Sequence, residues 1–157
     1  MSDRQPTITE NWPSRPAPSS ASVLDPAPTA PRILVVDDSE TMRTLMADLL
    51  PSMGYEVTTA CDGHKAIEEL GRCEPQLVLL DIEMPGLDGC EVCRRIKSHP
   101  ETRTIPVVLV SGHPEGSDRA AGAGADGFLP KPFHIDDLLR WLRALLSPAT
   151  VPTAEPG

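Results

Sequence analysis

The stretch that decides the fold is Leu77-Val78-Leu79-Leu80-Asp81-Ile82-Glu83-Met84-Pro85-Gly86-Leu87-Asp88-Gly89. Four apolar residues run directly into an acid, and a turn-forming Met-Pro-Gly segment follows. A short, uninterrupted apolar run bounded by turn residues reads as a strand buried on both faces, as in a parallel sheet. Asp81 then lies at the carboxyl end of that strand, the edge where open α/β sheets bind their ligands. An aspartate there is an implausible core residue. It reads as the chemical centre of the chain.

Moving outward, Ile33-Leu34-Val35-Val36 is a second such run and ends in Asp37-Asp38. Ser39 is placed to cap the helix that follows, with Glu40 in its first turn favoured by the macrodipole. Met42, Leu45, Met46, Leu49 and Leu50 give that helix an apolar stripe, and Pro51 is expected to stop it. Tyr55 to Ala60 reads as a weaker strand, followed by a short helix around Ala66, Ile67 and Leu70 that Gly71 ends. Beyond Gly89, Val92, Cys93 and Ile96 mark the inner face of another helix. Val107-Val108-Leu109-Val110 forms a strand ending at Ser111, and Gly127-Phe128-Leu129 a short strand ending at Pro130-Lys131-Pro132. A last helix carries Ile135, Leu138, Leu139, Leu142, Leu145 and Leu146 on one stripe. Five strands alternating with helices predict an α/β fold, a doubly wound parallel sheet with right-handed crossovers. The flavodoxin-like (βα)5 strand order 2-1-3-4-5 is the expected arrangement.

The ends of the chain differ from its middle. Seven of the 18 prolines fall in the first 31 residues and three in the last ten, which separates a proline-rich arm over 1–31 and a tail over 148–157 from a domain over 32–147. Both tails are expected to be disordered, because they lack apolar surface to offset ordering entropy. Trp12 is the arm's one sticky feature and could anchor a partner, though a stray tryptophan is the plainer reading. Net charge is −9, and residues 32–147 carry 12 lysines and arginines against 19 acids. That balance argues against a nucleic-acid-binding face. No apolar run is long enough to span a membrane, and the N-terminus lacks a secretory core, so a cytoplasmic setting with free thiols is the expectation.

In a parallel sheet, the ends of strands one, three, four and five share one edge, so Asp37, Asp38, Asp81, Ser111 and Lys131 should converge. Three carboxylates in one place repel one another unless a proton or a cation intervenes. Mg²⁺ suits an all-oxygen site of this kind. Acids, a hard cation, an ammonium and a hydroxyl around one carboxylate are the parts needed for phosphoryl transfer onto that carboxylate.

Three blocks carry a family resemblance: Val35-Val36-Asp37-Asp38-Ser39, Leu80-Asp81-Ile82-Glu83-Met84-Pro85-Gly86-Leu87-Asp88-Gly89 and Lys131-Pro132-Phe133. Together, in this order, they resemble response-regulator receiver domains over residues 32–147. The resemblance implies that Asp81 accepts a phosphoryl group from the phosphohistidine of a sensor histidine kinase or phosphotransfer protein. It implies Mg²⁺ held directly by Asp38 and through water by Asp37, with Asp81 and the backbone carbonyl of Glu83 completing the metal set. Lys131 would contact the phosphoryl oxygens, Ser111 would move toward them, and Phe128 would follow as a switch residue. A cis Lys131–Pro132 bond is implied too, and His113 is placed at the rim of the site. In receivers, helix 4, strand 5 and helix 5 form the signalling face.

Plainer readings stand beside these. Ser111 could cap the next turn, and Phe128 could be a core aromatic. Cys90 and Cys93, one helical turn apart with no second pair, read as small buried side chains rather than metal ligands. His64, His99 and His134 look like surface or turn residues. Trp141, at the edge of the last stripe, could touch a partner or pack against the flank. Ser111 and Lys131 are twenty residues apart, about two fewer than the receiver pattern, and the glycine-rich segment between them predicts a short or frayed fourth helix. The functional expectation is a stand-alone receiver, a signalling module rather than an enzyme, monomeric or weakly dimeric, acting through an unidentified protein partner. A non-phosphorylated pseudo-receiver is the main rival. An aspartyl phosphohydrolase and a flavin-binding flavodoxin are weaker ones.

Overall fold

The computed structural model describes residues 30–146; the proline-rich arm, Trp12 and the tail expected from Pro148 lie outside these. Ten elements alternate along the chain: β1 (Arg32–Val36), α1 (Glu40–Ser52), β2 (Glu56–Ala60), α2 (Gly63–Cys73), β3 (Leu77–Asp81), α3 (Gly89–Ser98), β4 (Val107–Ser111), α4 (Gly116–Ala123), β5 (Gly127–Pro130) and α5 (Ile135–Leu146). The strands form one sheet in the order β2-β1-β3-β4-β5. Every pairing is parallel. This is the expected flavodoxin-like doubly wound fold.

Side chains alternate across a strand, so each continuous apolar run feeds two cores. Leu34, Val36, Val78 and Leu80 pack on one face with Leu70, Val92 and Ile96 from α2 and α3. Ile33, Val35, Leu77 and Leu79 pack on the other with Met46, Leu50, Leu138 and Leu142 from α1 and α5. All five residues of β3 and of β4 are buried, which makes the sheet's interior strands apolar on both sides. Asp81 is aligned with Val110 in the register and stands one step past the apolar run.

Helix starts follow local chemistry. Ser39, Asp62 and Asp88 cap α1, α2 and α3 by accepting the amides of Met42, Lys65 and Glu91. Helix ends do so less faithfully. Pro51 does not stop α1: it sits inside the last turn, and Ser52 extends the helix with its hydroxyl donating to the Leu49 carbonyl at 2.6 Å. A proline in the final turn removes only one intrahelical bond, and this side-chain bond accompanies it. Nor does Gly71 end α2. The helix continues to Cys73, and Glu74 takes the left-handed position with φ 47°. The reason is tertiary: the Arg32 Nε on β1 donates to the carbonyls of Cys73 (2.9 Å) and Glu74 (3.1 Å), meeting the acceptors left open at the helix end.

The α1 stripe is narrower than its periodicity suggests, since Met46 and Leu50 are buried while Leu45 is 46% exposed. His99 is a turn residue as expected, but a buried one, closing α3 with its Nδ1 accepting the Glu101 amide. Helix α4 is short, eight residues with no side-chain cap, and ends at Gly124 with φ 84°. Trp141 is half-buried with its ring against Gly127, where a Cβ would come within 2.8 Å of it. That is flank packing. The Cys90 and Cys93 thiols are free and buried, directed at the carbonyls of Arg119 and Ala123. Burial pushes Cys93 up to about 12, so it stays protonated and packs as a small apolar group.

Candidate functional site

The carboxyl edge of the sheet gathers the predicted residues. Asp37 and Asp38 follow β1, Asp81 ends β3, Ser111 ends β4, and Lys131 follows β5. One carboxylate oxygen from each of Asp37, Asp38 and Asp81 lies within 4.8 Å of the others. Asp37 and Asp81 are buried and Asp38 is exposed. Lys131 Nζ stands between the two buried acids, 3.3 Å from Asp37 Oδ2 and 3.3 Å from Asp81 Oδ1. The Lys131–Pro132 bond is cis.

Backbone and side-chain bonds fix the first of the acids, Asp37. The Ser39 amide donates to Asp37 Oδ1 at 2.9 Å, so the α1 start orients the carboxylate it follows. Arg43 Nη1, one turn into α1, donates to the Asp37 carbonyl at 2.8 Å. Asp81 is held differently. The Ile82 carbonyl accepts the amides of Met84 and Gly89, closing the turn after β3 so that α3 starts directly behind the aspartate. Gly89 is required at that point, because a Cβ there would lie 2.2 Å from the Asp81 carbonyl oxygen.

Electrostatics follow from this packing. Burial lifts the Asp81 carboxyl from its usual 3.8 to about 6; the neighbouring Asp37 adds to the rise, and Lys131 opposes it. For Lys131, burial favours the neutral amine, but Asp37 and Asp81 together outweigh burial and leave its pKa raised, so it is a firm ammonium. Asp81 Oδ1 is buried and accepts no hydrogen bond, with the Lys131 ammonium as its nearby cation. An under-satisfied buried oxygen beside two more carboxylates is an all-oxygen donor set suited to a hard divalent cation. These residues fit Mg²⁺.

Ser111 is 1% exposed, and both sides of its hydroxyl are engaged. It donates to Glu83 Oε2 at 2.6 Å and accepts the His113 amide at 2.9 Å. The turn-capping reading of Ser111 thus holds in this structure, alongside its place at the site edge. Its backbone carbonyl accepts the Lys131 amide at 2.9 Å, tying the β4 and β5 ends together. Phe128 is half-buried and packs on the core face that carries α2, α3 and α4. A Cβ on Gly116 would meet Ser111 Oγ at 2.8 Å and Phe128 Cζ at 2.9 Å, so Ser111 and the tip of the Phe128 ring both pack tightly against Gly116. Sequence reasoning assigned Glu83 through its carbonyl and missed its side chain. Arg43 was missed altogether. An acid two residues past Asp81 and an arginine five past Asp38 were the signals available.

A five-stranded doubly wound sheet with an acid cluster, a bridging lysine and a serine on its carboxyl edge defines the class of protein to which known chains can be compared. The family model described as "Response regulator receiver domain" matches residues 33–143. The response regulator MprA of Mycolicibacterium vanbaalenii is 42% identical over 121 residues, covering 76% of this chain and 52% of that protein. The response regulator PleD of Caulobacter vibrioides is 46% identical over 114 residues, 71% of this chain and 25% of that protein. Among solved structures, the chemotaxis protein CheY4 of Vibrio cholerae superimposes with a TM-score of 0.69 at 28% identity, covering 74% of this chain and 99% of that one. The response regulator TrrA of Thermotoga maritima, solved in complex with Mg²⁺ and BeF, gives 0.66 at 35% identity over 73% of this chain and 98% of that one.

The chain belongs to the response-regulator receiver family. Receiver domains are signalling modules of two-component systems, phosphorylated on aspartate as a family and binding Mg²⁺ at an acidic cluster. The chain spans about half of MprA and a quarter of PleD. No described helix is long and apolar enough to cross a membrane.

Proposed function

We propose that residues 32–147 form a phosphorylation-controlled interaction switch in which Asp81 is the phosphoacceptor. The observation that carries this reading is the bridging of Asp37 and Asp81 by Lys131 around a buried Asp81 oxygen that lacks a hydrogen bond. In the reaction, an Asp81 oxygen forms a bond to the phosphorus of a phosphohistidine, the donor's N–P bond breaks, and the freed imidazole regains a proton from solvent. Lys131 is placed to hold a phosphoryl oxygen as negative charge gathers at the transferring group. Asp37, Asp38, Asp81 and the Glu83 carbonyl would hold Mg²⁺, which supplies charge neutralisation at the transferring phosphoryl group. Ser111 and Phe128 carry the switch. A pKa of about 6 leaves Asp81 mostly ionised, and so nucleophilic, at neutral pH.

Intact mass after incubation with acetyl phosphate and Mg²⁺ tests this. One phosphoryl adduct is expected, dependent on Mg²⁺ and absent from Asp81→Asn. No adduct in the wild-type protein would overturn the reading in favour of a non-phosphorylated interaction module, which would bind its partner equally well as Asp81→Asn.

The donor is a sensor histidine kinase or phosphotransfer protein, and it must bring its phosphorus within bonding reach of Asp81. Beside Lys131 lies an apolar hollow of about 400 Å³ lined by Met42, Leu45, Pro132 and Phe133, with Leu45 46% exposed. That is where a protein donor would rest. Burying a leucine is worth about 1.5–3 kcal/mol. Leu45→Glu should therefore slow transfer from a protein donor roughly tenfold or more relative to transfer from acetyl phosphate, read as the ratio of the two rates.

A further inference from the structure

We propose that the Glu83 carboxylate is a latch on Ser111, competing with a phosphoryl group for the one proton the Ser111 hydroxyl can donate. The inference rests on Asp81 being phosphorylated and adds a positioning residue to that reaction. A serine hydroxyl has a single proton. Here it is committed to Glu83 Oε2 at 2.6 Å, a short charge-assisted bond, while the oxygen accepts the His113 amide. With Ser111 only 1% exposed, its hydroxyl is directed at these protein partners. Any donation from Ser111 to an oxygen near Asp81 must therefore break the Glu83 contact.

The geometry ties this bond to the rest of the switch region. Glu83 leaves the strand end two residues after Asp81, so it shares the turn that positions the acceptor. Ser111 closes β4 and holds the Lys131 amide through its carbonyl. On its other side, Ser111 Oγ and the Phe128 ring tip both close on Gly116, where a Cβ would lie 2.8 Å from one and 2.9 Å from the other. A Ser111 side chain that leaves Glu83 alters that packing against Gly116 and with it the surroundings of Phe128. Glu83 thus favours the unphosphorylated arrangement, and phosphorylation has to outcompete it.

The test uses the whole chain grown with 4-fluorophenylalanine. Its only phenylalanines are Phe128 and Phe133, so the ¹⁹F spectrum has two resonances, assigned with Phe133→Leu. In the wild type, loading with acetyl phosphate and Mg²⁺ should move the Phe128 resonance. Glu83→Gln leaves a weaker neutral acceptor, and Glu83→Leu leaves none. In both, the Phe128 resonance of the unloaded protein should shift toward its loaded position. A hydrogen bond to a charged group makes a change of roughly tenfold or more in the ratio of the two arrangements the expected size. In a Ser111→Ala background, Glu83→Leu should produce no such shift, because nothing remains to be latched.

Adduct formation by intact mass is followed in parallel. Adducts in the wild type and both Glu83 variants, with an unmoved Phe128 resonance in the unloaded variants, would overturn the latch and leave the phosphoacceptor reading standing. The same holds if the Glu83 effect persists in Ser111→Ala. Absence of any adduct in the wild type would overturn both.

Discussion

Asp81→Asn is expected to melt several degrees higher than the wild type at pH 7.5 in metal-free buffer, and to lose that advantage near pH 4. The Asp81 carboxyl is raised from 3.8 to about 6 in the folded protein, by burial first and by Asp37 second. An acid whose folded pKa exceeds its unfolded value binds more protons when folded. Stability is therefore lost as pH rises from about 4 to about 6, and the loss is complete above that window. At 1.36 kcal/mol per pH unit, the ionised Asp81 costs the fold about 3 kcal/mol at pH 7.5. That cost already counts the attraction of Lys131, so with asparagine standing in for the protonated carboxyl the gain should be about 1–3 kcal/mol. Such a gain moves the melting temperature by about 4 °C per kcal/mol in a domain of this size. Mg²⁺ should narrow the gap by stabilising the wild type more than the variant. Melting curves at pH 4.0, 5.5 and 7.5, with and without Mg²⁺, check all three statements. A variant that melts lower at pH 7.5 would show that the Lys131–Asp81 pair outweighs the cost of burial.

Alanine should have opposite effects at two glycines. At Gly89 a Cβ would sit 2.2 Å from the Asp81 carbonyl oxygen, 2.8 Å from its carbon and 2.9 Å from Ile82 Cα. These are backbone atoms of the central strand and its turn, with no side-chain end to swing aside. Overpacking commonly costs about 1–3 kcal/mol, occasionally more, and a collision with fixed backbone belongs at the upper end. Gly89→Ala should therefore lower the urea midpoint strongly and displace Asp81 as well, so adduct formation falls even in the fraction that remains folded. At Gly122, inside α4, a Cβ would meet nothing within 4 Å. Gly122→Ala should raise stability by about 0.5–1 kcal/mol, the ordinary helix gain. Equal effects at the two sites would contradict the close approach of α3 to the Asp81 backbone.

Much of this was legible in the residues. Runs such as Leu77–Leu80 and Val107–Val110 are too apolar to be anything but interior strands, and a parallel sheet then forces Asp37, Asp38, Asp81, Ser111 and Lys131 onto one edge. The cap at Ser39 was legible because a serine directly before an apolar-periodic run is placed to accept the amide three residues on, as it does from Met42. What escaped was set by partners distant in the chain. The α2 end depends on Arg32, some forty residues earlier, so Gly71 misled. His99 reads as a surface residue until the turn that buries it is folded. The Glu83–Ser111 bond joins residues 28 apart and has no period or motif to announce it.

Helix α4 gives the domain a weak seam. Its buried side chains are Ala120 and Ala123, which remove little apolar surface from water, its start lacks a side-chain cap, and Gly122 lowers its intrinsic preference. One ion pair, Arg119 to Asp88 at 3.0 Å, ties it to the start of α3, with side chains 40% and 38% exposed. Segments held this lightly open on their own, at a free energy far below that of global unfolding. In hydrogen exchange, α4 would behave as a separate cooperative unit, with amides that trade protons while β3 and β4 stay protected. Because Gly116 packs against Ser111 and Phe128, this lightly held helix borders the proposed switch.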